Sequence, residues 1–365
     1  MKIRFILLTF LLIFIGTKNI LASNSIDGFT LTLTQATNRA IQTNADMNTM
    51  RENLNSVTNR RNNMMSSSMF FNSLSEVLDS QIALMNLTNE RNSITQNMDS
   101  LRDTLGFLVA SYFSDIVIAT NELTIYDQNI LFIEREINVL RNMLNVGMAS
   151  RIEYDMANLN LNSIRHNRTT LVNEINEAHI NLNRLIGTPT DRVHNLIFDI
   201  PFEKLNVVNF TGHLNHQTRN HFTVLQAEAA ENIHRFRLNN YVTPIDQVTG
   251  LAIPGAVTST ELIATLNQAS REVINARRRV EEHITETYHN IMELERDIDS
   301  LYITLEDFIR QSEILNAKFE VGEILNIDIQ KNNLEISKIQ NDIETLKIRH
   351  GLLVMQFLNP NISVM

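Results

Sequence analysis

The stretch LNVGMASRIEYDMANLNL, residues 144–161, returns 175 positions later as FEVGEILNIDIQKNNLEI, residues 319–336. Gly147 falls on Gly322, Val146 on Val321, Ile152 on Ile327, Glu153 on Asp328, Asn158 on Asn333 and Leu159 on Leu334. Stacked solenoid units recur every ~20–50 residues, so a spacing this long marks a duplicated structural half.

Upstream of Gly147, apolar or small residues stand at Leu144, Leu140, Ile137, Ile133, Ile130, Tyr126, Leu123, Ala119, Ile116, Tyr112 and Val109. Steps of four and three alternate, which is a heptad seam. The same seam recurs from Phe319 back to Ile284, with Ser312 and Thr287 as its polar members. After each glycine a second apolar stripe begins, Leu161 to Leu185 in one half and Ile336 to Leu353 in the other. A helix that ends near a glycine and continues into another striped helix is an antiparallel helical hairpin. Arms of ~35–45 residues are on the order of 50–70 Å long. Such arms bury their stripes sideways, against other arms.

The rest of the composition agrees with helices. Ten glycines and five prolines in 365 residues leave little punctuation. The formal charge of −10 argues against a nucleic-acid partner, which selects basic patches. With no cysteine there is no disulfide, thiolate metal site or lipidated cysteine. Lys2 and Arg4, then the apolar FILLTFLLIFIG (5–16), then Ala22 and Ser23, form a secretory signal pattern over residues 1–23, with a retained anchor as the alternative. The organisation read from these signals is a first helical repeat over 24–187, a connector over 188–212 and a second repeat over 213–365. MMSSSMFF (64–71) interrupts the first repeat, and YVTPIDQVTGLAIPGAVTST (241–260) interrupts the second.

A glycine, an acidic residue six positions on and a long striped helix closing in LNRLIG (182–187) together resemble the outer membrane efflux proteins of the TolC type. LTLTQATNRAIQTNADM (31–47) is similar to that family's opening helix, with Gln35, Thr37 and Ala45 where Glu, Leu and Pro are commoner. The resemblance spans nearly all of the chain after the signal. It implies an all-α protomer of long antiparallel coiled-coil hairpins in two duplicated halves, three copies closing into an α-barrel. It further implies an exit duct in the outer membrane or envelope, served by an inner membrane pump and a periplasmic adaptor. Gly147 and Gly322 would then lie at adaptor-facing tips, and Glu153 and Asp328 would ring a narrow tunnel mouth. A tip arginine that can bridge neighbouring columns in the family has no counterpart here, where Ile324 stands nearby.

The departure lies in the strands. Two membrane strands per half are expected of the family, and here proline-cut apolar pieces around Val242 and Leu251 stand in their place, without tryptophan. The expectation is therefore little or no β structure, with membrane association through assembly or a reduced barrel. Other readings stay open at this point. An acidic residue in a first helical turn also suits a cap. His213, His216 and His221 share a short segment, and the expectation for them is ordinary surface histidines. No catalytic or cofactor motif is present, so neither an enzyme nor a bound cofactor or metal is expected. The functional alternative to a duct is a non-transport scaffolding protein of the envelope.

Overall fold

The computed structural model describes residues 30–67, 74–198, 201–243, 245, 246, 251, 253 and 255–362. The signal segment and half of MMSSSMFF lie outside them. Eight described helices carry the chain: α1 (Leu33–Thr43), α2 (Ala45–Ser67), α3 (Leu74–Asn145), α4 (Arg151–Leu185), α5 (Phe210–Asn220), α6 (Phe222–Asn239), α7 (Ser259–Glu320) and α8 (Asn326–Leu358). A short parallel pair, β1 (Thr30–Thr32) and β2 (Asn195–Ile197), joins the start of the first half to the connector with Leu31 opposite Leu196. The all-α expectation holds, with this small exception.

The two long helices α3 and α7 are the beams of the structure. At 1.5 Å per residue, the 72 residues of α3 run about 105 Å. Each beam packs a different partner at each end. Toward one pole α3 pairs with α4 and α7 with α8, while toward the other α3 pairs with α2 and α7 with α6. Arg61 Nε donates to Thr88 Oγ1 at 3.0 Å across α2–α3, and Ser270 Oγ donates to Glu231 at 2.7 Å across α6–α7. These pairings place the α2–α3 and α6–α7 hairpin ends at one pole. The α3–α4 and α7–α8 turns lie at the other.

The halves are joined along their length. α3 packs on α8, where Arg135 donates to Gln330 at 3.0 Å, and on α6, where Asn89 donates to the Ala229 carbonyl at 3.1 Å. Toward the hairpin turns the order across the layer is therefore α4, α3, α8, α7.

Equivalent residues build equivalent cores. One cluster holds Val109, Phe113, Ile116, Leu182 and Ile186 with Ala36 and Ala40 of α1. The other holds Ile284, Ile291 and Phe357 with Val224 of α6, and Tyr288 packs beside them. Val109, Phe113, Ile116 and Leu182 map onto Ile284, Tyr288, Ile291 and Phe357 by the same shift of 175. α3 is also the one described helix long and apolar enough to cross a membrane by composition, yet its Val109, Ala110 and Phe113 are core residues here.

Both halves break their opening helix at a matching place. Asn44 ends α1 and its Oδ1 accepts the Met47 N–H at 2.8 Å, capping α2. His221 does the same between α5 and α6, its Nδ1 accepting from the Thr223 N–H at 3.3 Å. Its other ring nitrogen meets the Pro360 carbonyl at 3.0 Å. This corrects the surface reading for His221 and in part for His213, while His216 is exposed as expected. His221 is buried, and burial holds its pKa below the ordinary value. His213 stacks on Phe357 with centroids 4.5 Å apart. These are packing and capping residues, recruited because an imidazole offers both a flat face and an acceptor.

The connector between the halves is clamped onto α7 and α8. Lys204 Nζ donates to Asp299 at 2.7 Å, and the Leu205 N–H donates to Glu295 Oε1 at 2.6 Å. The same Glu295 oxygen meets buried His350 at 3.0 Å. A carboxylate in this position is tolerated inside because both neighbours satisfy it.

Candidate functional site: the hairpin turns and the flanks of the helical layer

Each turn is closed by the same backbone device. In the first, the Gly147 N–H reaches the Leu144 carbonyl at 3.1 Å and the Met148 N–H reaches the Met143 carbonyl at 2.8 Å. In the second, Gly322 reaches Phe319 at 3.0 Å and Glu323 reaches Lys318 at 2.9 Å. This is a Schellman closure, and it needs a left-handed residue at the glycine. Gly147 and Gly322 have φ of 75° and 77°. Both glycines lie in the turns at the same pole.

The two acidic residues follow in the first turns of α4 and α8. Glu153 accepts the Ser150 N–H at 2.7 Å and the Ser150 hydroxyl at 2.9 Å, while its own N–H donates to Ser150 Oγ at 3.2 Å. That reciprocal pair is a capping box. The Ser150 N–H and hydroxyl hold the Glu153 carboxyl below its usual pKa. Asp328 accepts the Leu325 N–H at 3.0 Å, but Leu325 has no oxygen to return the bond. Both carboxylates are therefore capping groups in the single chain, and both are exposed.

The flanks carry a feature that the sequence reading passed over. On α4, Ile152, Met156 and Leu159 are exposed. They lie roughly 150° around the helix from the stripe that packs on α3. On α7, Ile303 and Ile314 are exposed and again face away from the α8 seam. The signal was available as apolar residues off the heptad seam. It was masked by the strength of the seam itself.

The repeat explains why only one copy is covered. Leu159 and Leu334 are equivalent, yet Leu159 is 68% exposed and Leu334 only 6%. α8 has α3 of the other half on its flank. Among the described residues α4 has no such neighbour.

Among the described residues no group of three metal-ligating side chains occurs. No family model matches the sequence, and no curated protein does. Solved structures do. A CusC chain, from structures that follow transmembrane channel formation, aligns at 10% identity over 91% of this chain and 92% of its own, with a TM-score of 0.66. The outer membrane protein VceC of Vibrio cholerae aligns at 10% identity over 89% and 95%, with a TM-score of 0.63. The Neisseria gonorrhoeae MtrE outer membrane channel aligns at 12% over 90% and 89%, with a TM-score of 0.60.

The chain has the TolC-like channel fold. Within that fold, the described strand structure is confined to β1, β2 and an isolated bridge residue, Ile245. At the pole away from the turns, α2 and α6 continue as helix up to Ser67 and Asn239. No membrane-spanning strand pair is found there among the described residues.

Proposed function

We propose that this protein is the protomer of a trimeric helical conduit in the bacterial cell envelope, at or near the outer membrane. In this reading it is the exit duct for material delivered by an inner membrane pump and a periplasmic adaptor. The observation that carries the proposal is the uncovered flank of α4. Within one chain, α3 of the first half covers α8 of the second. The duplication makes α7 the equivalent of α3 and α4 the equivalent of α8, so α7 of one chain is built to cover α4 of the next. A head-to-tail contact of this kind closes into a ring or runs into a filament. Three chains of two hairpins each give twelve columns, the number implied by the resemblance to the TolC type.

In such a ring the turn pole forms the mouth that meets the adaptor, with Gly147 and Gly322 at the adaptor-facing tips. Glu153 and Asp328 then ring the mouth, three of each, and favour cations there. Capping and ring duty are compatible, because a capping carboxylate keeps its charge. Electron microscopy of the purified exported chain is expected to show a three-fold ring with a central lumen, and the double variant Glu153→Gln/Asp328→Asn keeps that ring while binding fewer cations at its mouth. Unchanged cation binding leaves the two residues as caps alone, and a chain that stays monomeric at high concentration contradicts the conduit.

A further inference from the structure

The shift of 175 that relates the two halves also carries contacts from one seam to another. Where α3 of the first half meets α8 of the second, Gln128 and Arg135 face Gln330 and Leu334 across a shallow groove, and Arg135 donates to Gln330 at 3.0 Å. Moved by 175, the same four places are Ile303 and Arg310 on α7 and Asp155 and Leu159 on α4. In one chain α7 and α4 are the opposite edges of the layer, so these four come together when α7 of one chain lies beside α4 of the next. Arg310 stands on the stripe of exposed Ile303 and Ile314, within about 40° of both around the helix. Asp155 stands within about 60° of exposed Ile152 and Leu159.

From this correspondence we infer that Arg310 of one chain pairs with Asp155 of the next, and that the pair selects which chains join. The inference rests on the conduit reading above and adds to it the residues by which a chain recognises its own copy. The arginine is common to both seams, and its partner changes from an amide within the chain to a carboxylate between chains. That change has a physical reason. Within the chain α3 and α8 are tethered through the connector, whereas separate chains must also offset the freedom lost on association. A carboxylate bound to a guanidinium is roughly twice as strong a partner as a neutral acceptor. Ile303 in the place of Gln128 adds aliphatic surface beside the pair.

In the single chain both groups have local partners. Arg310 reaches Glu306 at 2.6 Å and Asp307 at 3.7 Å, and Asp155 accepts from Arg151 at 3.1 Å. All five side chains are more than half exposed. Exposed pairs of this kind contribute little, so exchanging them for a bond across the seam, among aliphatic neighbours that exclude water, is favourable. A like charge at either place would meet its equal across the seam. Such repulsion is the means by which an interface rejects wrong partners.

The test is trimer formation by the purified exported chain, followed by sedimentation and, for mixtures, by native mass spectrometry with isotope-labelled parent. Arg310→Asp alone and Asp155→Arg alone each raise the concentration needed for trimers at least roughly tenfold, with the helical circular dichroism unchanged. The doubly swapped chain, Arg310→Asp/Asp155→Arg, regains trimers, because every seam again joins opposite charges. Asp155→Gln copies the Arg135–Gln330 contact of the seam within the chain and keeps trimers. Parent and doubly swapped chains, dissociated and mixed, sort into separate trimers, since any mixed trimer contains two seams with like charges. A swapped chain that fails to recover, or free mixing of the two chains in one ring, overturns the inference and leaves the conduit standing. A parent that never leaves the monomer removes the conduit and the pair together.

Discussion

Replacing Gly187 with alanine tests the contact between the end of α4 and the end of α1, where the Thr43 hydroxyl reaches the Leu185 carbonyl at 3.5 Å. Gly187 sits just past the end of α4 with φ of 65°, and a β carbon there would stand 2.7 Å from Thr43 Cγ2 and 3.1 Å from Thr43 Cβ. Gly147 has nearly the same backbone, φ of 75°, with nothing within 4 Å of the same position. Gly147→Ala therefore bears the left-handed penalty alone, about 1–2 kcal/mol. Gly187→Ala bears that plus overpacking of about 1–3 kcal/mol. Thr43→Ser removes the nearest methyl, so the pair Thr43→Ser/Gly187→Ala should recover at least about 0.5 kcal/mol beyond additivity. Urea unfolding followed by circular dichroism, at one protein concentration throughout, gives the four values. Equal losses for Gly147→Ala and Gly187→Ala, or no coupling to Thr43, would refute the packed joint.

Further expectations rest on the contacts already described. Leu182 and Phe357 occupy equivalent fully buried places, so Leu182→Ala and Phe357→Ala destabilise by about 2–5 and 3–5 kcal/mol. Arg168→Ala breaks an exposed pair with Asp127 and stays within about 1 kcal/mol by the same urea titration. The pH dependence of the first turn follows from Glu153. Its folded pKa lies below its unfolded value, so its capping contribution is complete above the ordinary carboxylate pKa of 4.5 and disappears as pH falls through the lowered folded value. Hydrogen exchange at the Ser150–Glu153 amides should gain an extra acid-induced loss of protection that Glu153→Gln lacks. Identical pH profiles for the two proteins would remove the carboxylate from the cap.

Much of this architecture is written in the heptad seam. Val109, Ile116, Ile133 and Ile137 on α3, with Ile284, Ile291 and Ile298 on α7, are buried where the periodicity places them. A seam reports one partner, however, and α3 has several. Phe113 and Ala110 lie off it and are buried because α1 packs on a second face. The turns were legible from Gly147 and Gly322, since few signals other than glycine end so regular a helix. The capping geometry was partly legible, because Ser150 and Glu153 form a recognisable box and Leu325 hides its counterpart. The burial of His221 was not legible. Its role depends on Pro360, 139 residues away, and sequence spacing holds no trace of that contact. The exposed flanks of α4 and α7 were hidden for a related reason, since an apolar residue off the seam looks the same in sequence whether a third helix covers it or not.

The contact between sister chains is the claim on which the rest depends, and the absence of cysteine allows it to be read directly. Leu159 stands eight residues from the start of α4 and Ile314 six from the end of α7, at similar heights on opposite flanks of the layer. A chain carrying Leu159→Cys and Ile314→Cys, treated with a short bis-maleimide, should give a ladder that ends at a covalent trimer, while either single variant gives none. A product that remains monomeric at high protein concentration would contradict the ring, and a ladder continuing past three would mean that the flanks build a filament instead.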